Sequence, residues 1–195
     1  MIKEYFDSLI ETQPSAFVNE DSSITLPDEM KKDGSPSEWK YATSSVSEQQ
    51  IAEMQEKYGV VFPEVYKEFI STYAHCLKGL SGKLDNFLFE DDVDVVLEIP
   101  AQVYGKELEE ITELFDSNLD FIKSGYLPLG EFEESGIIGL DIDTGEVMWI
   151  DYDEYYECES KDDIEESGIV VFEAFEDLLD CFFKKEVYVC PDEEE

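Results

Sequence analysis

Between Ser47 and Tyr73 the chain encodes two helices and the corner that joins them. Ser47-Glu48-Gln49-Gln50 is a capping box, in which the serine hydroxyl and the glutamine side chain satisfy free N–H groups at a helix start. Ile51, Met54 and Tyr58 follow as a narrow apolar stripe, and Gly59 stands where a left-handed residue ends a helix. Pro63 suits the first turn of a second helix, where its missing N–H costs nothing. Val65, Tyr66, Phe69, Ile70 and Tyr73 then recur at the spacing of one helix face. Both helices have one apolar side, which the rest of the chain has to cover.

Downstream the period changes. Leu84–Phe89 reads as a strand with Phe87 and Phe89 on one face, and Val93–Ile99 as a second strand or a short helix start. Lys106–Phe115 is a helix with Leu108, Ile111 and Phe115 inward. Tyr126–Gly130 is a strand in which Pro128 points to an edge or end position. Ile137–Ile142 and Val147–Tyr152 flank Asp143-Thr144-Gly145-Glu146, a β-hairpin signal. Ile169–Phe172 is a short strand, and Glu173–Phe183 repeats Phe175, Leu178, Leu179 and Phe182 at helical spacing. Upstream, Ile2, Phe6, Leu9 and Ile10 predict an amphipathic helix over residues 2–11. Residues 12–45 are rich in Ser, Pro, Asp and Thr and form an irregular approach, anchored by Trp39 and Tyr41. The expected class is α+β: N-terminal helices, an antiparallel β-sheet with a central hairpin, and a closing C-terminal helix. The expected divisions are an N-terminal helix and approach segment (1–38), an α+β domain (39–185) and an acidic tail (186–195).

Charge narrows the partner. The 195 residues hold 50 Asp and Glu against 13 cations, every one a lysine, for a net charge of −37. Such a chain lacks the cationic face that neutralises nucleic-acid phosphates, and an anionic membrane repels it. With 43% apolar and 13% aromatic residues it is nonetheless a folding sequence. There is no basic segment leading into an apolar stretch at the N-terminus, and no run of the ~20 apolar residues a membrane span needs; cytoplasm is the expected location. Cys76, Cys158, Cys181 and Cys190 lie far apart with no C-x-x-C pair, which favours free thiols in a reducing compartment.

The order of these elements resembles the SUKH superfamily, which groups bacterial toxin-immunity proteins with a fungal regulator of cell-wall synthesis. Ser47–Gly59 is similar to its leading helix, and Val60–Ile70 to its apolar-Pro-x-x-Tyr-x-x-Phe-apolar step. Tyr126–Gly130 and the Gly136–Asp151 hairpin resemble its core strands, and Phe172–Phe183 its closing helix. The resemblance runs from about Trp39 to Phe183. It departs at Ala74-His75-Cys76-Leu77-Lys78-Gly79, where the family often has an Asn-Gly-Gly-like end to the second helix. The resemblance implies a protein that binds a partner, either as an immunity protein or as a regulatory scaffold.

No residue pattern argues for an enzyme, a cofactor or a metal. A calcium loop counted from Asp141 places Glu146 and Tyr152 where an EF-hand needs Gly and Glu, and one counted from Asp151 places Tyr156 and Asp162 there. There is no Gly-rich phosphate loop, no G-x-S-x-G and no H-E-x-x-H. With a single histidine, His75, neither a histidine metal site nor a Cys–His nucleophile is readily assembled. A small acidic hydrolase or a calcium-binding protein is the remaining rival, since carboxylate pairs need no local motif.

One segment stands above the background. Residues 149–166 combine Trp149 and three tyrosines with nine acids and one lysine. Tyrosine and tryptophan are frequent anchors of protein interfaces, and carboxylates around them steer a cationic partner. The expected partner-binding residues are Trp149, Asp151, Tyr152, Asp153, Glu154, Tyr155, Tyr156 and Glu157, with Glu131, Glu133 and Glu134 nearby across the sheet. With the resemblance, they suggest an immunity protein that neutralises a cognate polymorphic toxin. Nuclease clefts are cationic because they hold phosphates, so a basic nuclease is the expected target and an acidic plug its inhibitor.

Overall fold

A computed structural model describes residues 2–19, 24–88, 90–132, 135–158 and 160–191. Its helices are α1 (Ile2–Thr12), α2 (Glu48–Tyr58), α3 (Glu64–Thr72), α4 (Glu109–Ser117), α5 (Leu119–Lys123), α6 (Tyr152–Tyr155), α7 (Lys161–Ser167) and α8 (Phe175–Lys184). Its strands are β1 (Ala42–Thr43), β2 (Tyr73–Ala74), β3 (Gly79–Asp85), β4 (Val93–Glu98), β5 (Tyr126–Phe132), β6 (Gly136–Asp141), β7 (Val147–Asp151), β8 (Ile169–Phe172) and β9 (Tyr188–Val189). The fold is α+β, as expected. β1 and β2 form a small ladder, and the other seven strands form one curled sheet in the order β8-β7-β6-β5-β4-β3-β9. Every pairing in that sheet is antiparallel except β3 with β9.

The helix corner forms as its sequence dictates. The Ser47 hydroxyl accepts from the Gln50 N–H, Gln50 Oε1 accepts from the Ser47 N–H at 2.9 Å, and Gly59 adopts a φ of 71°. Pro63 sits one residue before α3, which buries Tyr66, Phe69 and Ile70. The irregular approach is pinned by Trp39, fully buried against Phe17 and Tyr41. α1 lies on α3 and α8 and drives Phe6 into a nest of rings from Tyr41, Phe69, Tyr73 and Phe183. Of its expected apolar face, Ile10 is exposed while Tyr5 is buried. α8 buries Leu178, Leu179, Phe182 and Phe183 as it crosses the sheet.

Three expectations need correction. The strand read at Leu84–Phe89 starts and ends earlier, at Gly79–Asp85; Phe87 lies just past it, and Phe89 is outside the described residues. The helix read from Lys106 begins at Glu109. Pro128 does not mark an edge: β5 lies between β6 and β4 in mid-sheet. Proline is tolerated there because β4 pairs with β5 only at Glu131 and Phe132, and the β5–β6 register shifts between Pro128 and Gly130.

A second, smaller apolar cluster covers the other face of the hairpin. Phe121, Tyr126, Ile137, Met148, Ile150 and Ile164 meet there, under α5, α6 and α7.

Candidate interaction surface

The hairpin β6–β7 organises the site. Asp141 caps its turn, accepting from the Asp143 N–H at 2.7 Å and the Thr144 N–H at 3.0 Å. It also lies 3.5 Å from the Lys161 ammonium. The carboxylate that opens the calcium-like pattern is therefore engaged in turn formation. Among the described residues no group of three or more His, Cys, Asp or Glu is arranged to hold a metal ion.

Along β7 alternate residues point to opposite faces, and this splits the expected surface in two. Trp149 faces the main core, 7% exposed, with its ring edge-on to Phe87 at 5.4 Å. Gly136 makes room for the indole: a Cβ there would lie 2.5 Å from Trp149 Nε1. Trp149, Asp151 and Glu154 line a groove of about 1010 Å³. Glu146, Glu165, Glu166 and Glu173 bring its carboxylates to six, and no lysine lines it. Its apolar wall is made by Leu88, Trp149, Ile169, Val170 and Pro191. Glu165 is the one carboxylate of the six with an ion pair among the described residues, 3.6 Å from Lys161.

Tyr152 turns to the other side. Its hydroxyl donates to the Glu131 carboxylate, and both residues line a separate cavity of about 500 Å³ with Lys78, Glu98, Glu110 and Glu113. Burial and the Glu131 carboxylate push the Tyr152 hydroxyl above its ordinary range. Tyr155 packs on Phe121, donates to Asn118 Oδ1 at 3.1 Å, and is pushed up to about 12 by burial. Tyr156 is 78% exposed and stacks on Tyr152. Asp153 and Glu157 are exposed. Glu133 and Glu134 lie outside the described residues.

The strand expected to run to Tyr152 ends at Asp151, and two short helices that the sequence pattern did not reveal follow, α6 and α7. Asp151 caps α6 through the Asp153 N–H, and Ser160 caps α7 through the Asp163 N–H. The Ser160-x-x-Asp163 spacing was a usable signal for α7. Glu146 precedes β7 by one residue and is local to Trp149, whereas no local pattern marks Glu173 as its neighbour, because the pairing of β7 with β8 brings it there.

The cysteine and histidine chemistry is also placed. His75 is fully enclosed and held neutral, its imidazole lowered to about 3 by burial. Burial raises the thiol of adjacent Cys76 to about 12, and those of Cys181 and Cys190 to about 11. Such thiols are not thiolates at neutral pH and are poor nucleophiles. All four cysteines are free.

The model of the SMI1 / KNR4 family (SUKH-1) matches residues 45–181, from just before the capping-box serine to within α8. The chain belongs to this family. The resemblance read from the helix corner, hairpin and closing helix is thereby confirmed. SUKH-1 membership agrees with an immunity-type or protein-interaction role. A comparison with curated proteins finds no match. α1 and β9 lie beyond the SUKH-1 match, at the two ends of the fold. Among the described residues no helix is long and apolar enough to cross a membrane.

Proposed function

We propose that this SUKH-1 protein is a cytoplasmic immunity protein, without catalytic activity of its own, that binds and neutralises a cognate toxin with a cationic surface, a basic nuclease being the favoured target. The observation that carries this reading is the groove in which six carboxylates surround Trp149 with no lysine among its lining residues. A groove in which only Glu165 of the six carboxylates has an ion pair among the described residues, on a chain of net charge −37, attracts cations and repels nucleic acid and anionic membranes. Neutralisation then needs only occupation of the cleft that would otherwise hold phosphates. Asp151, Glu154 and Trp149 are assigned to the contact, and Asp153, Tyr156 and Glu157 are exposed on and just after α6, outside the groove lining. Tyr152, Glu131 and Tyr155 support the surface from behind.

The test is co-expression with the toxin encoded by the neighbouring gene. The chain should co-purify with that protein and restore growth to cells that express it. Absence of both binding and protection would refute the assignment.

A further inference from the structure

The curled sheet is close to closing on itself, and the groove is the gap that remains. Pairing directions followed round the sheet make its two edge strands, β8 and β9, antiparallel to each other. They meet at one end, where the rings of Phe172 and Tyr188 are 4.8 Å apart and the Glu173 N–H donates to the Tyr188 hydroxyl at 3.1 Å. Beyond that contact they do not pair. Ile169 and Val170 line the groove from β8, and Leu88 and Pro191 from the side of β3 and β9. Among the described residues no strand pairs with the outer edge of β8.

An open strand edge offers alternate backbone N–H and C=O groups to an added strand. Here that edge borders a groove with a partly apolar wall and carboxylates at Glu146, Glu166 and Glu173, which selects the sign of the added side chains. We infer that the groove receives an extended, lysine- or arginine-bearing segment of the partner protein, paired as an extra strand on β8 and placed between the two edges of the sheet. At ~3.4 Å per residue, about four or five residues match the length of β8. Alternate residues of such a segment face opposite sides, so an alternating cationic and β-branched sequence sets basic groups among the carboxylates and apolar ones against Trp149. This inference rests on the proposed function for the partner's charge, but not for its identity or its toxicity.

The probe is acetyl-Lys-Val-Lys-Val-Lys-amide, titrated into the isotope-labelled full chain and followed by amide chemical shifts. Three competitors accompany it: the same peptide N-methylated on alternate residues, its Glu-for-Lys counterpart, and spermine. The expected result is saturable shifts centred on Gly168–Val171 and at least tenfold weaker binding of the N-methylated peptide, which cannot form the ladder. The Glu peptide should not bind, and E166K/E173K, which reverses two exposed charges without touching the core, should weaken the Lys peptide at least tenfold. Spermine binding as tightly as the peptide, equal binding of the N-methylated form, or shifts centred away from β8 would each overturn the inference. The two proposals fail separately. A toxin that still binds E166K/E173K with full affinity removes strand addition and leaves immunity standing. Peptide binding at β8 with no neighbouring toxin neutralised removes immunity and leaves the groove standing.

Discussion

His75 should make this protein acid-sensitive well above the range in which most of its carboxylates titrate. The imidazole is 0% exposed, lies among the rings of Phe6 and Phe69, and neither ring nitrogen has a hydrogen-bond partner. Burial lowers it to about 3, against about 6.5 in an unfolded chain. The unfolded state therefore takes up a proton that the folded state refuses. Stability is complete above pH ~6.5 and falls as pH drops towards ~3, by about 1.4 kcal/mol per unit. At pH 5 the loss attributable to this one group is about 2 kcal/mol. Substituting His75→Leu removes the proton site and leaves the paired backbone bonds to Gln102, each 2.8 Å, in place. Urea unfolding at pH 7.5 and pH 5.0 measures the difference. The carboxylates titrate in both proteins and cancel, so wild type should lose about 2 kcal/mol more than H75L between the two conditions. Equal losses would show that the folded protein accepts the proton, and the reasoning from burial would be wrong.

Four further outcomes follow from the packing and the charge. Ser47→Ala should cost about 1 kcal/mol in chemical denaturation, because the Gln50 N–H loses the hydroxyl that accepts it, while the bond from the residue-47 N–H to Gln50 Oε1 remains. Phe6→Ala should cost about 3–5 kcal/mol, since its ring is fully buried among four other aromatic rings and a histidine; a loss under 1 kcal/mol would contradict that packing. Gly136→Ala should destabilise the β6–β7 hairpin and shift tryptophan emission, because its Cβ would lie 2.2 Å from the Ile150 carbonyl oxygen and 2.5 Å from Trp149 Nε1, whereas the equivalent substitution at exposed Gly34 meets no atom within 4 Å and should leave the emission unchanged. Association with the cognate toxin should slow steeply between low salt and about 0.15 M, where the Debye length falls to ~8 Å; an on-rate indifferent to salt would detach the charge from recognition.

Much of the scaffold was legible because its signals are local. The capping box, the Gly59 end, the hairpin turn at Asp143–Glu146 and the apolar stripe of α8 each act within a few residues and formed as read, whereas the stripe of α3 stops at Ile70 because the helix ends at Thr72 and Tyr73 passes into β2. Pro128 was misread because an edge is a property of neighbours: β4 and β6 flank β5, and the short reach of β4 is set by chain segments far from residue 128. The candidate surface was legible in composition but not in arrangement. Residues 149–157 stood out as acidic and aromatic, yet strand alternation and the turn into α6 send Trp149 and Tyr152 to different sides.

Local chemistry and total charge were thus settled by the chain alone: helix starts and stops, the hairpin, the α+β class, and an excess of carboxylates that any partner has to match. These depend on groups close in sequence, or on a sum that folding does not alter. Which strands are edges, how nearly they meet, and which carboxylates share one groove were decided by the curl of the sheet. That curl brings Glu146 and Trp149 of the hairpin to one place with Glu173 and Pro191, and contacts between segments so far apart in the chain exist only once the whole core has packed.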